Sequence, residues 1–147
     1  MGKTFKGRVI IKGNFTGDSV VSRQGVNLLA TFQKSAYENA KIVIASDQNN
    51  NDIYNKELTG KVFCLPQAIG STSGGMTLHA VCHMGIAPKV MLFSKHIDSL
   101  ALAGVVLANV WSEEGIITID QLGDEFIEYV QDGMTISVHE DGIVGIL

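Results

Sequence analysis

Residues 60–93, GKVFCLPQAIGSTSGGMTLHAVCHMGIAPKVMLF, decide the fold of this chain. Their first part, residues 60–66, is a short apolar run ended by a proline, which predicts a buried strand. In residues 76–83 apolar side chains recur at positions i, i+3 and i+4, which predicts a short helix. Residues 87–93 form a second buried strand. This strand–turn–helix–strand order is typical of a parallel crossover unit.

Further elements flank this unit on both sides. Apolar patterns bounded by glycine or polar residues predict strands at residues 8–12, 18–22, 41–45, 115–119, 134–138 and 143–146. The last two are expected to form a hairpin through a turn at residues 140–142. A short amphipathic helix is predicted over residues 124–131, with Gly133 as its stop. Residues 24–42 are apolar without a clean period, so their structure stays open.

A longer helix is predicted over residues 99–110, with Asp98 as its N-cap. The large and small apolar residues along it are Leu100, Leu102, Ala103, Val106, Leu107 and Val110. Four of them form one stripe, and the other two widen it. A stripe of this width predicts a helix that is mostly buried.

The order of elements favours an α/β domain with a mixed sheet or barrel, flanking helices and right-handed crossovers. The length of 147 residues fits a single domain over residues 1–147. With 46% hydrophobic and 18% charged residues, the chain has enough apolar material for a core, and disorder is excluded.

Composition and charge also narrow the function classes. The longest apolar run, residues 100–111, is shorter than the ~20 residues that a membrane helix needs, and no apolar targeting segment is seen. We therefore expect a cytoplasmic protein that does not span a membrane. The net charge of −4 argues against nucleic-acid binding.

Charge is distributed unevenly along the chain. All 11 Lys and Arg lie within residues 1–95 together with five acids, whereas residues 96–147 hold ten acids and no Lys or Arg. This asymmetry suits docking to a charged partner. A solvated acidic face is the alternative interpretation.

The turn between the first strand and helix of the crossover unit carries the strongest chemical signal. Residues 70–75, Gly-Ser-Thr-Ser-Gly-Gly, combine three glycines with three hydroxyls at the start of a helix. Free backbone N–H groups and the positive helix end predict a site for a carboxylate or phosphate. The glycine spacing fits neither a P-loop nor a dinucleotide fingerprint. The alternative is a tight turn in which Thr72 or Ser73 caps the helix.

A serine at such a turn can act as a nucleophile or, once deprotonated, as a base, provided that positive charge stabilises its alkoxide. The helix N-terminus alone is not enough, so a metal bound with the substrate or a cation of another chain is needed. Cys64 and Cys82 lie in different elements, and the pair His79 and His83 has no third ligand in sight. We expect no metal site in this chain.

Several motifs, in order, resemble the small subunit of the aconitase X family. They are KGRVI at residues 6–10, LTGKV at 58–62, Pro66, GSTSG at 70–74, APKVML at 87–92, DSLALAG at 98–104 and the pair Asp132-Gly133. The resemblance covers nearly the whole chain. It implies a β/β/α swivelling domain that packs on a large catalytic subunit, which holds an iron–sulfur cluster and most of the substrate site.

The resemblance also implies a reaction, the dehydration of a small hydroxy acid such as a phosphorylated mevalonate or cis-3-hydroxyproline. In the family pattern Gly-Arg-Gly-Ser, the serine abstracts the substrate proton, and it corresponds to Ser71. The neighbouring positions implied to bind substrate are Gly70, Thr72, Ser73, Gly74 and Gly75. The family's Gly-Arg is Ala68-Ile69 here, so a guanidinium that could bind an anion is missing.

Two other interpretations remain open. Residues 74–80, followed by 85–90, are similar to the phosphohistidine domain of phosphoenolpyruvate-utilising enzymes, in which His79 would carry the phosphate. In that family a serine precedes the histidine, whereas Leu78 does so here. A non-catalytic regulatory module built on the swivelling domain is the third hypothesis, favoured by the missing arginine at Ile69.

Overall fold

The computed structural model describes residues 2–147. Its strands are β1 (Lys3–Lys6), β2 (Arg8–Ile11), β3 (Phe15–Val21), β4 (Val26–Asn27), β5 (Val62–Leu65), β6 (Ala68–Ile69), β7 (Val90–Phe93), β8 (Ile117–Asp120), β9 (Thr135–Val138) and β10 (Ile143–Ile146). Its helices are α1 (Leu28–Tyr37), α2 (Gly74–His83), α3 (Ser99–Trp111) and α4 (Asp124–Tyr129). Within residues 2–147, none of these helices has the length and apolar character needed to cross a bilayer.

Eight strands form one mixed sheet in the order β1-β10-β9-β3-β5-β7-β8-β2. The central strands β3, β5, β7 and β8 are parallel, and the pairs toward both edges are antiparallel. Only Gly7 separates β1 from β2, although these strands lie at opposite ends of the order. The sheet is therefore nearly closed on itself. Strands β4 and β6 form a separate parallel pair.

The central strands are buried on both faces. In β5 and β7, the side chains of Phe63, Leu65, Met91 and Phe93 point toward the core beneath the helices α1, α2 and α3. The alternate side chains of the same strands belong to a second core with Phe126 of α4 and the C-terminal hairpin. Continuous apolar runs are what parallel strands buried on both sides require, which is why β5 and β7 could be predicted from the sequence.

The structure corrects the prediction for residues 41–45 and shows what residues 24–42 form, which the sequence pattern leaves open. The strand predicted at residues 41–45 is wrong, because this segment makes only an isolated bridge between Ile44 and Glu57. Val43 and Ala45 are buried and Ile42 is exposed, and the backbone of the segment bonds to the irregular segment 55–58 rather than to the sheet. The open stretch 24–42 contains the helix α1, whose N-cap Asn27 accepts a hydrogen bond from the Ala30 amide.

Helix α3 begins at the predicted residue, but its large apolar side chains face solvent instead of the core. Asp98 caps it by accepting a hydrogen bond from the Ala101 amide. Its buried residues are Ala101, Gly104, Val105 and Ala108, whereas Leu100, Ala103, Val106, Leu107, Val110 and Trp111 are exposed. The prediction of a mostly buried helix is therefore wrong for this chain, because small residues rather than large ones face the neighbouring helix.

A buried ion pair joins the edge of the sheet to the start of α3. The fully buried carboxylate of Asp120 accepts two hydrogen bonds from Arg8, at 2.9 and 2.8 Å, and one from the Ile97 amide at 2.7 Å. Burial raises the pKa of Asp120, but the bonds from Arg8 and Ile97 outweigh it, so that the pKa lies below its ordinary value. Since Ile97 precedes Asp98, this pair fixes the entry into α3.

We predict that Asp120→Ala lowers the free energy of unfolding by about 3 kcal/mol, near the low end for removal of one partner of a buried ion pair, because Arg8 is half exposed. A carboxyl with a lowered folded-state pKa stabilises the protein above its ordinary pKa, and this contribution is lost as the pH falls through the folded-state value. Urea unfolding at pH 7 and pH 3 should show a smaller loss of stability in Asp120→Asn, whose side chain does not titrate, than in the wild type. Part of the loss is common to both proteins, because the hydrogen bond from Lys89 also lowers the pKa of Glu114.

Candidate functional site

A cavity of about 220 Å³ lies where three helices begin. Its wall includes Leu28, the first residue of α1, Gly74 and Gly75 of α2, and Ser99 and Leu100 of α3. The turn that leads into α2 supplies the remaining wall, with Ala68, Ile69, Gly70 and Ser71, together with the N-cap Asp98. The positive ends of three helix dipoles therefore converge on one small space.

The three helix ends differ in how they are capped. Asn27 caps α1 with a neutral amide, and Asp98 caps α3 with a carboxylate. Ser73 stands at the N-cap of α2 but makes no side-chain capping bond. No hydrogen bond within residues 2–147 is found for the Gly75 amide, which lies in the cavity wall and can therefore donate to an anion there.

Ser71 lies in the wall of this cavity and is half-buried. Its Oγ accepts a hydrogen bond from the Ser73 amide at 3.1 Å, and its carbonyl accepts one from the Gly74 amide at 3.2 Å. These bonds define a compact turn that holds the Ser71 hydroxyl at the start of α2. Within residues 2–147, no histidine, lysine or carboxylate is hydrogen-bonded to this hydroxyl, so its own chain leaves it without a general base.

Glycines make the convergence possible. A Cβ atom at Gly75 would lie 2.5 Å from the Leu100 carbonyl oxygen, and one at Gly104 would lie 2.8 Å from the Gly75 oxygen. Gly70 has a φ of 90° and packs against the Asn27 side chain. Any larger side chain at Gly75 or Gly104 would push the α2 and α3 helices apart, and the helix ends with them.

Four of the six predicted turn residues, Gly70, Ser71, Gly74 and Gly75, line the cavity. Thr72 and Ser73 are exposed and do not belong to its wall. Their assignment as substrate-binding residues therefore remains a prediction.

Sequence reasoning missed two contributors to the cavity. Asp98 was predicted only as a helix cap, but its second carboxylate oxygen is buried without a hydrogen-bond partner. Leu28 lies in residues 24–42, for which the sequence pattern indicates no single element. No motif could reveal either contribution, since residues 28, 74 and 99 meet only in the folded chain. Ile69, at the family arginine position, is 51% exposed, and the wall contains no Lys or Arg.

Cysteine and histidine side chains do not gather in a metal-binding arrangement. Within residues 2–147, no three His, Cys, Asp or Glu side chains are placed to hold a metal ion. Burial raises the pKa of both Cys64 and Cys82, which disfavours the thiolate that a metal or cluster requires. His79 has a buried Nε2 without a partner and lies outside the wall of the cavity.

The chain is similar to proteins of one family along nearly its full length. The family model described as the aconitase X swivel domain matches residues 4–146. The solved structure of Thermococcus kodakaraensis aconitase X in its holo form superposes with a TM-score of 0.82 at 25% identity, covering 99% of this chain and 98% of that one. The resemblance and the fold class expected from the sequence are thus confirmed.

Two curated relatives carry the same name. The phosphomevalonate dehydratase small subunit of Aeropyrum pernix is 37% identical over 92 residues, 63% of this chain. This match covers 64% of the relative, slightly less than two thirds of its length. The phosphomevalonate dehydratase small subunit of Methanocella arvoryzae is 28% identical over 142 residues, covering 97% of this chain and 96% of the relative.

We predict that Ile69→Arg strengthens the binding of inorganic phosphate to this chain about tenfold, because a charge-assisted hydrogen bond is added at the cavity. Phosphate titration followed through the amide signals of Gly74 and Gly75 measures the change. Tyr37→Arg, at an 81% exposed position outside the cavity wall, is the control for net charge. Equal strengthening in both variants would contradict a localised anion site.

Proposed function

Because this chain belongs to the aconitase X swivel domain family, we propose that it is the small subunit of an aconitase-like dehydratase. The proposed substrate is a phosphorylated hydroxy acid, with phosphomevalonate the first candidate, since both relatives described above are phosphomevalonate dehydratase small subunits. One observation carries the proposal, namely that Ser71 and the uncapped start of α2 share a cavity. An anion binder and a proton acceptor are what this subunit would contribute.

The proposed reaction breaks a C–H bond and the C–O bond on the neighbouring carbon, so that a double bond forms and water leaves. Ser71, as its alkoxide, would accept the proton from carbon at Oγ. The leading amides of α2 would hold a carboxylate or phosphate of the substrate and stabilise negative charge close to Ser71. This chain provides no group that accepts the departing hydroxide, so a second chain would have to supply one.

We further propose that a large subunit completes the site. The residues of this chain do not fit an iron–sulfur cluster, because Cys64 and Cys82 are buried in different elements and no three potential ligands come together in residues 2–147. The cavity wall also contains no cation to stabilise a serine alkoxide. The cluster ligands and the missing cation are therefore assigned to the partner.

The geometry gives less support to the other hypotheses. A phosphocarrier histidine must present a nitrogen to its phosphoryl donor, whereas the Nε2 atom of His79 is buried. A regulatory module does not require an uncapped helix N-terminus beside a hydroxyl. The hypothesis of a regulatory module is nevertheless tested directly by removing that hydroxyl.

We predict that Ser71→Ala lowers kcat of the assembled complex about 10²- to 10⁴-fold, the usual contribution of a general base. The readout is steady-state dehydration of phosphomevalonate, with subunit assembly followed by size-exclusion chromatography. Ser137→Ala, in β9 outside the cavity wall, is the matched control and should retain full activity. Full activity in Ser71→Ala would favour the regulatory module.

We also predict that this chain alone does not dehydrate phosphomevalonate, because it lacks a group to accept hydroxide. The assay compares the isolated chain with the reconstituted complex at equal concentration. Full activity in the isolated chain would contradict the proposed division between two subunits.

A further inference from the structure

Helix α3 has its large apolar residues on the outside. The exposed fractions are 39% for Leu100, 42% for Val106, 38% for Leu107, 63% for Val110 and 69% for Trp111. The 13 residues of the helix include no charged side chain. A surface helix of a monomer normally presents charged and polar residues to water, so this face is suited to burial against another surface.

The inner side of α3 explains why these residues cannot turn inward. Gly104 packs on Gly75, and Ala101, Val105 and Ala108 complete the buried side. Rotating the helix to bury Val110 and Trp111 would place large side chains where even one Cβ atom would lie 2.8 Å from a backbone oxygen. The packing of α2 on α3 therefore determines which face of α3 is exposed, and the helix cannot rotate to bury that face in the core.

We propose that the exposed face of α3, formed by Leu100, Ala103, Val106, Leu107, Val110 and Trp111, binds the large subunit of the proposed dehydratase. The inference rests on the proposed function for the identity of the partner. Leu100 belongs both to this face and to the wall of the cavity. A chain seated on α3 would therefore reach the mouth of the cavity, where cluster ligands and a cation are needed.

The length and apolar character of this face fit the centre of a stable protein–protein interface. A helix of 13 residues is about 20 Å long, which suits the apolar middle of an interface of about 800 Å² per partner. Tryptophan at such a position is a frequent anchor of binding energy. The matching surface of the large subunit must be apolar and concave around Trp111.

A second copy of this chain fits the face less well. A dimer packed through α3 would bury the apolar side chains, but within residues 2–147 neither copy brings three potential metal ligands together. It would therefore leave both cavities without the cluster ligands that the proposed reaction requires. The proposed large subunit would both cover the face and supply those ligands through one contact.

The test compares two single carboxylates placed at exposed positions. Val110→Glu should raise the Kd for the large subunit about 30-fold or more, the range for loss of an interface anchor. Tyr37→Glu adds the same charge on α1 at an 81% exposed site and should leave the Kd within about threefold. Val110→Ile keeps the apolar face and should also assemble normally. Isothermal titration with the purified large subunit gives the Kd, and the Tm of each isolated variant should stay at the wild-type value.

The outcomes separate this inference from the proposed function. Wild-type Kd in Val110→Glu would overturn the α3 interface even if the complex dehydrates phosphomevalonate. Selective loss of assembly in Val110→Glu would support the interface even if the complex has no dehydratase activity. If light scattering shows a wild-type dimer that Val110→Glu converts to monomers without changing the Kd for the large subunit, the occupant is a second copy and the inference is wrong.

Discussion

The contact between Gly75 and Gly104 is the constraint on which the rest of the site depends. Only hydrogen atoms at these two positions allow the backbones of α2 and α3 to approach so closely. This approach places the start of α2 beside the start of α3, and it also determines which side of α3 faces solvent. The cavity and the exposed apolar face thus both follow from the close packing of α2 on α3.

The cavity wall contains no positively charged side chain, so backbone dipoles are the source of positive potential there, and the carboxylate of Asp98 opposes it. Backbone dipoles require no desolvation of a cationic side chain. The carboxylate of Asp98 offsets the end of α3, so the uncapped α2 is the strongest anion site of the three. An arginine at position 69 would add a cation at this cavity, whereas isoleucine adds none.

The crossover unit could be predicted because its signals are local. Three such signals lie within residues 60–93, namely Pro66, the glycine-rich turn and the change of apolar period, and the elements of the structure follow them closely. The convergence of residues 28, 74 and 99 could not be predicted, since it depends on packing between distant segments. The burial of α3 was predicted wrongly because a hydrophobic pattern shows which residues are apolar but not what they contact. In this chain Leu100, Leu107 and Trp111 are exposed, and the buried side of the helix is formed by Ala101, Gly104, Val105 and Ala108.

The proposed role of Ser71 as a base requires positive charge that this cavity does not supply. Asn27 caps α1 and Asp98 caps α3, so only the start of α2 is free of a side-chain cap. One helix N-terminus stabilises a nearby negative charge by about 1 kcal/mol. Because about 1.4 kcal/mol corresponds to a tenfold change in an equilibrium, this end of α2 would make a serine alkoxide only about fivefold more populated. The further stabilisation that a serine base requires would have to come from a cation outside the cavity wall, which contains no Lys or Arg.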